Sequence, residues 1–156
     1  MERTAFFSEC RTYRYALKRV WNKSGPNVLF VGLNPSRANE NSDDPTIRRC
    51  IKFAKYWNFG GLSIVNLFAF CSHDPKDLLT AEDPIGAKND LILKKLLSKH
   101  DTIVLVWGNN GSFLKRNEKV LKLIKNPLCL KINKNGAPAH PLYLKGNLKP
   151  IPYVSQ

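Results

Sequence analysis

The sequence lacks any apolar run that approaches the roughly 20 residues of a membrane-spanning helix. Residues 1–15 also lack the long apolar core of a secretory signal. We therefore expect a cytoplasmic protein with no membrane partner. At 156 residues the chain has room for one domain of ordinary size. We expect a single domain over 1–156, acting as a monomer with one functional site.

Cysteines with metal-binding spacing are also missing. The four cysteines lie 40, 21 and 58 residues apart, with no C-x-x-C pair. The motifs G-x-x-x-x-G-K-[ST], G-x-G-x-x-G, H-E-x-x-H and G-x-S-x-G are absent as well. We predict reduced structural thiols, no metal and no cofactor, and a metal cluster built from distant ligands is the alternative.

Acidic residues are scarce. The chain has 12 Asp and Glu against 25 Lys and Arg, which gives a formal net charge of +13. Such an excess attracts phosphate backbones through counterion release. The alternative is that the charge only keeps the protein soluble. We predict DNA as the partner, with RNA or a nucleotide as the other candidates.

Short apolar runs alternate with helical patterns along the chain. The runs have the composition of strands that are buried on both faces, and they cover 27–33, 62–70, 102–108 and 128–132. The helical patterns cover 44–58, 88–99 and 112–125, the last with Ser112 as its cap.

This alternation predicts parallel strands joined by right-handed crossovers. We therefore expect an α/β fold with three layers, α/β/α, around a central, mainly parallel four-stranded sheet. Residues 1–26 are expected to form an N-terminal edge strand or hairpin arm, 27–145 the core, and 146–156 a tail.

Polar residues follow the predicted strands, at the edge where α/β sheets bind ligands. Asn34 lies in "GLNPS", where Gly32 permits close backbone approach and Pro35 stiffens the turn. Asn66 interrupts "SIVNLFAF", and its carboxamide offers both a donor and an acceptor to a base edge. His140 follows the fourth run and can donate to a developing negative charge or transfer a proton. Each also has a structural alternative: a plain turn, a loop anchor or a surface histidine.

Two aspartates precede the first predicted helix. Asp43 and Asp44 offer carboxylates for activating water or binding a cation, but both also suit a helix cap or first turn. We favour the structural use.

The order of these segments resembles the uracil-DNA glycosylase superfamily over about residues 27–145. That superfamily carries a Gly-x-(Asp/Asn/Glu/Ala)-Pro motif after its first core strand, where this chain has "GLNPS". It carries a (His/Asn)-Pro-Ser motif after its last, where this chain has "HPL" at 140–142. "LSIVNLFAF" and "IVLVWGNNGSFLK" are similar to the strands between them. The chain also resembles, over nearly its whole length, a family of bacterial and phage proteins of unknown function with "YALKRVW", "DPTIRRC" and "NLFAF".

The resemblance implies a role for each matching position. Asn34 would position or polarise the attacking water, and His140 would stabilise negative charge on the departing base. Asn66 would recognise the base edge. The other base-binding candidates are Gly32, Pro35, Trp107, Gly108 and Asn109. Candidates for contacts to the nucleic-acid backbone are Ser36, Arg37, Lys145 and Lys149. Leu142 and Tyr143 are candidates for a wedge that fills the vacated base stack.

We therefore predict a DNA glycosylase-like enzyme that hydrolyses the N-glycosidic bond of a damaged or modified base in DNA without a metal. Ser36 stands where the mismatch-specific members of the superfamily have Gly, and Leu142 stands where the last motif has Ser. A changed substrate or a loss of catalysis is therefore consistent with the sequence. The alternatives are a non-catalytic nucleic-acid or nucleotide binding module on the same fold, and an enzyme of free nucleosides or nucleotides.

Overall fold

A seven-stranded sheet organises the chain in a computed structural model that describes residues 1–154. The strands are β1 (Glu2–Phe7), β2 (Arg14–Val20), β3 (Asn27–Gly32), β4 (Gly61–Asn66), β5 (Ile103–Leu105), β6 (Leu128–Cys129) and β7 (Ile151–Pro152). The α-helices are α1 (Pro45–Tyr56), α2 (Asp77–Thr80), α3 (Asn89–Lys99) and α4 (Arg116–Leu121), with a 3₁₀ segment over Gly108–Lys115. The fold is thus of the mixed α/β class.

The sheet order is β1-β2-β4-β3-β5-β6-β7. The pairings β4-β3, β3-β5 and β5-β6 are parallel, whereas β1-β2, β2-β4 and β6-β7 are antiparallel. Four adjacent strands, β4, β3, β5 and β6, thus pair in parallel, whereas the sheet as a whole has seven strands and is only partly parallel. The N-terminal hairpin and a short strand in the tail extend both edges, because each finds an open strand edge to pair with.

Helices cover both faces of the sheet. Successive side chains of a strand point to opposite faces, and the buried residues accordingly form two apolar clusters. One cluster joins α1 to Val28, Phe30 and Ile64. The other joins α3 and α4 to Leu29 and Val31. The central strands of the sheet are thus packed between helices on both faces.

The N-terminal arm is a two-stranded hairpin, and β2 is an internal strand that pairs with both β1 and β4. The prediction of an edge position fits β1 alone. A β-bulge interrupts the β1-β2 pairing: Phe6 pairs with Ala16 and Phe7 with Arg14, so Tyr15 is an extra residue in β2.

The helix predicted over 112–125 is broken. Its first residues belong to the 3₁₀ segment, and α4 begins only at Arg116. Leu114 and Lys115 have φ values of 53° and 54°, which an α-helix does not allow. Ser112 is therefore not the cap. No helix within residues 1–154 is long and apolar enough to cross a membrane.

Candidate functional site

A cavity of about 380 Å³ opens at the carboxyl ends of β3 and β4. Gly32, the last residue of β3, and residues 33–37 after it form one wall together with Asn66, the last residue of β4. Val106, just past β5, and His140, after β6, line another part. The volume lies in the range of about 300 to 1,000 Å³ that is typical of small-ligand sites. The structure therefore brings Asn34, Asn66 and His140 to one cavity.

Asn34 is anchored through its amide nitrogen. Nδ2 donates to the backbone carbonyl oxygens of Ser72 at 2.9 Å, Pro35 at 3.1 Å and Phe70 at 3.3 Å. These contacts hold the segment after β4 against the loop after β3. Among residues 1–154 no group donates to Oδ1 of Asn34. Asn34 thus offers a ligand a fixed hydrogen-bond acceptor, and its nitrogen is already engaged.

Asn66 is buried, with 3% of its surface exposed, and its Nδ2 has no hydrogen-bond partner among the described residues. An unpaired buried donor costs about 1 to 3 kcal/mol. Its backbone oxygen is fixed by Asn89 Nδ2 at 3.1 Å. Gly32 makes room for the Asn66 side chain, because a Cβ at Gly32 would lie 2.7 Å from Asn66 Oδ1. Asn66 is therefore held in place with a donor available for a ligand.

The Nδ1 atom of His140 accepts a hydrogen bond from the backbone. The backbone N–H of Leu142 donates to Nδ1 at 3.3 Å, so the proton of the neutral ring is on Nε2. Burial of the ring lowers the pKa of His140, although the carboxylate of Asp44 opposes the shift. At neutral pH the side chain is thus a neutral imidazole with one N–H donor.

The segment after His140 is tied to α1. Arg49 Nε donates to the Pro141 carbonyl oxygen at 3.3 Å, and Trp57 Nε1 donates to that of Leu148 at 2.9 Å. Both donors belong to α1 or its C-terminal cap. The helix therefore fixes the segment that carries His140.

Asp44 lines the cavity but has a structural role. Its Oδ1 accepts from Ile47 N at 2.9 Å and caps α1, while Oδ2 accepts from Ala38 N at 3.3 Å. Asp43 forms ion pairs with Arg19 at 2.8 Å and with Arg3 at 3.2 Å. Asp44 is thus the helix cap, the use that we favoured, whereas Asp43 does not cap α1 and instead pairs with two arginines of the N-terminal hairpin.

Arg14 lines the cavity and is a candidate that the sequence interpretation missed. The side chain is 2% exposed, and Nη1 donates to the Ala38 carbonyl oxygen at 3.1 Å. In "TYRYALKRVW", a strand with regular alternation would place Arg14 on the face opposite Tyr13 and Tyr15. The bulge at Tyr15 breaks that alternation, and both Arg14 and Tyr15 are buried. A charged residue within a half-apolar strand was the available signal.

Trp107, Gly108 and Asn109 do not line this cavity. They line a second, smaller one of about 130 Å³ with Asn117 and residues 135–137. The chain turns at Gly108, whose φ is 74°, and this turn leads into the 3₁₀ segment away from the larger cavity. Gly108 still borders the site, because a Cβ there would lie 3.6 Å from His140 Cβ.

The remaining candidates differ in their distance from the cavity. Pro35, Ser36 and Leu142 line it, and so does the exposed Arg37. Lys145 and Lys149 are exposed and lie outside its lining. Tyr143 is fully exposed and has a φ of 69°, in the left-handed region that non-glycine residues seldom adopt.

All four cysteines are free thiols: Cys50 and Cys129 are buried, Cys71 is half-buried and Cys10 is exposed. Cys50 lines the cavity, and burial raises its pKa, so the thiol stays protonated and is a poor nucleophile. Within residues 1–154, no three His, Cys, Asp or Glu side chains are grouped to hold a metal ion.

Comparison with known proteins assigns the chain to a family. Residues 14–142 match the family described as "Protein of unknown function (DUF1643)". Searches among curated proteins and among solved structures gave no match. The matched residues include Arg14, Asn34, Asn66 and His140, which all line the larger cavity. Because the match spans well over half of the sequence, the chain belongs to the DUF1643 family.

Proposed function

We propose that this protein is a DNA glycosylase-like enzyme that hydrolyses the N-glycosidic bond of a damaged or modified base in DNA, on a fold like that of uracil-DNA glycosylases. One observation carries the proposal. Asn34, Asn66 and His140 are far apart in the sequence, yet they line one cavity of a size suited to a small ligand.

The available hydrogen-bonding groups suit a base that leaves with negative charge. In the proposed reaction, the bond from the base nitrogen to C1′ breaks and its electron pair stays on the base. Water then adds to C1′ and gives up one proton, which the departed base anion finally takes up. The Nε2–H of His140 and the free Nδ2 of Asn66 are donors for the departing base.

The residues that line the cavity can activate the attacking water only weakly. Asn34 Oδ1 can accept a hydrogen bond from water and orient it, but an amide oxygen does not take up the proton. Asp44 is the sole carboxylate among the residues that line the cavity, and both of its oxygens accept backbone N–H bonds. We therefore propose that the base departs before the water attacks, so that stabilising the leaving base supplies most of the acceleration.

The surface around the cavity suits a nucleic acid. The formal net charge is +13, and Arg37 is exposed at the cavity. Leu142 and the fully exposed Tyr143 are apolar side chains that can fill the gap left by an extruded base. Lys145 and Lys149 follow them and can contact the flanking phosphates.

A binding module without turnover is the second candidate. The observation that favours it is the anchoring of Asn34, whose nitrogen makes three contacts to loop carbonyl oxygens. Such contacts can explain this asparagine without any catalytic role.

A base-release assay separates the two candidates. The substrates are DNA duplexes and single strands that carry uracil, mismatches, oxidised bases or bulky modified pyrimidines. We expect His140→Ala to reduce release by about 100- to 1,000-fold, the usual effect of removing a donor at a developing charge. Asn34→Ala should reduce release by a smaller factor, because it removes only the acceptor that orients the water. The matched controls are His100→Ala, at the opposite end of the sheet, and the exposed Asn147→Ala. Release that survives both test variants contradicts the assigned roles, and DNA binding without release from any substrate supports the binding module.

A further inference from the structure

Arg14 is a buried cation without an anionic partner. The residue is 2% exposed, and no carboxylate of residues 1–154 lies within ion-pair distance of its guanidinium. Burial lowers the pKa of Arg14 to about 10, so the group is still charged at neutral pH. Charged side chains are seldom buried unless they are paired. The other two fully buried arginines both have a carboxylate: Arg19 pairs with Asp43 and Arg116 with Asp90.

The unpaired part of Arg14 has a particular shape. Nη1 donates to the Ala38 carbonyl oxygen, whereas Nε has no partner and Nη2 donates to nothing within the described residues. The N–H bonds of Nε and Nη2 on this edge point the same way. They form the fork that matches the two oxygens of a carboxylate or phosphate.

The described residues around Arg14 supply one more hydrogen-bond donor, and none of them forms an ion pair with its guanidinium. Asn66 lines the same cavity and also has a buried nitrogen without a partner. Asp44 is near enough to favour the charged form of Arg14, but its oxygens are engaged by Ala38 N and Ile47 N. Within the described residues, the cavity therefore has unused donors and one buried unpaired positive charge, in addition to the exposed Arg37.

We infer that the cavity contains an oxyanion subsite, in which the Nε and Nη2 edge of Arg14 pairs with a carboxylate or phosphate group of a bound base or nucleotide. The inference rests on the proposed function in so far as it takes the cavity to be the ligand site. It adds that the preferred ligand carries an anionic group, either on the base itself or as the phosphate of a nucleotide.

The test compares two pairs of free ligands by calorimetry at constant ionic strength. Uracil is paired with 5-carboxyuracil, and uridine with uridine 5′-monophosphate. We expect one charged member to bind about 10- to 100-fold more tightly than its neutral counterpart, as for a hydrogen bond to a charged group. A preference within the first pair indicates a carboxylated base, and a preference within the second pair indicates a nucleotide phosphate. Arg14→Gln should abolish the preference, and Arg14→Lys should restore it only in part because Lys lacks the fork.

Thermal unfolding of the ligand-free protein keeps the inference testable if Arg14→Gln folds poorly. An unpaired buried charge destabilises the empty protein, so Arg14→Met should unfold at the same temperature as the wild type or higher. The matched control, Arg116→Met, removes a buried arginine that is paired, and it should unfold several degrees lower. A drop in Arg14→Met as large as that of the control would mean that Arg14 is structural.

Three results overturn the inference: equal binding of charged and neutral ligands, no binding of any of the four, or a preference that survives Arg14→Gln. Base release from DNA is scored separately. A charged-ligand preference without base release refutes the glycosylase and leaves the subsite in place. Release of uracil without such a preference refutes the subsite alone.

Discussion

The position of Gly32 tolerates no side chain, because a Cβ there would lie 2.7 Å from Asn66 Oδ1. Gly32→Ala should displace the Asn66 carboxamide and lower the free energy of unfolding by about 1 to 3 kcal/mol, the usual cost of overpacking. Denaturant unfolding and ligand affinity are the measurements. In the control Gly146→Ala the nearest atom, Arg49 Nη1, lies at 3.6 Å, an ordinary contact. Equal stability of the two variants would contradict the assigned role of Gly32.

The protonation of His140 should make the free energy of unfolding depend on pH. Its folded pKa lies below the usual 6.5 because the ring is partly buried. The unfolded chain therefore binds the proton first as the pH falls. The contribution of His140 is fully present above about pH 6.5, and it is lost as the pH falls from there through the folded pKa.

Unfolding free energies of the wild type and His140→Gln, measured between pH 7.5 and 4.5, test this expectation. The wild type should lose stability relative to the variant over the lower part of that range. Curves that stay parallel would show that the environment of His140 does not disfavour its charge.

Sequence reasoning at the residue scale found the polar residues at the strand ends but missed Arg14. Asn34, Asn66 and His140 could be singled out because each interrupts or follows an apolar run. The charge of Arg14 in a half-apolar strand was not enough to single it out, since β2 also contains Lys18 and Arg19 and the bulge that breaks its alternation is defined by its pairing with β1. Trp107 and Asn109 were misplaced because the turn at Gly108 depends on the conformation of the backbone.

At the scale of elements, Asp43 connects the N-terminal hairpin to the start of α1. It pairs with Arg19, a β2 side chain with no exposed surface, and with Arg3 in β1. Asp43→Ala should lower the free energy of unfolding by about 3 to 5 kcal/mol, because it leaves a buried charge unpaired. Chemical denaturation measures the loss, with the exposed Asp101→Ala as control. A loss below about 1 kcal/mol, typical of exposed ion pairs, would show that Arg19 finds another partner.

The start of α4 shows why element boundaries were less predictable than element types. The apolar pattern over 112–125 favoured one helix, but the chain first makes a 3₁₀ segment. Arg116, the first residue of α4, donates from Nε to the Leu67 carbonyl oxygen and from Nη2 to Asp90. These contacts join residues that are distant in sequence, and a local pattern contains no information about them.

At the scale of the whole molecule, the excess of positive charge should make nucleic-acid binding depend on salt. The slope of log K against log salt concentration is negative, and each lost phosphate contact reduces its magnitude by about one. Arg37→Gln, Lys145→Gln and Lys149→Gln should each show this change in titrations with labelled DNA. Lys99→Gln, at the opposite end of the sheet, should leave the slope unchanged. Equal slopes for all four variants would refute the assigned DNA surface.

The composition and alternation of the whole chain predicted the α/β class but not the extent of the sheet. The four apolar runs contain β3, β5 and β6, and all of β4 except its first residue, Gly61. The additional strands are short or polar, and β7 has only two residues, Ile151 and Pro152. Such segments become strands by pairing with an existing edge, which depends on tertiary structure more than on their own sequence.

The attachment of α1 has a consequence for binding kinetics. The helix is capped at the cavity by Asp44, and through Arg49 and Trp57 it holds residues 141–148. A single helix thereby fixes two parts of the cavity wall, one at Asp44 and one next to His140, and the site is preorganised. A preorganised site needs no slow opening step, so association should be limited by diffusion and electrostatic steering. Changes to the cavity wall should then alter the residence time of a ligand and leave its rate of arrival nearly constant.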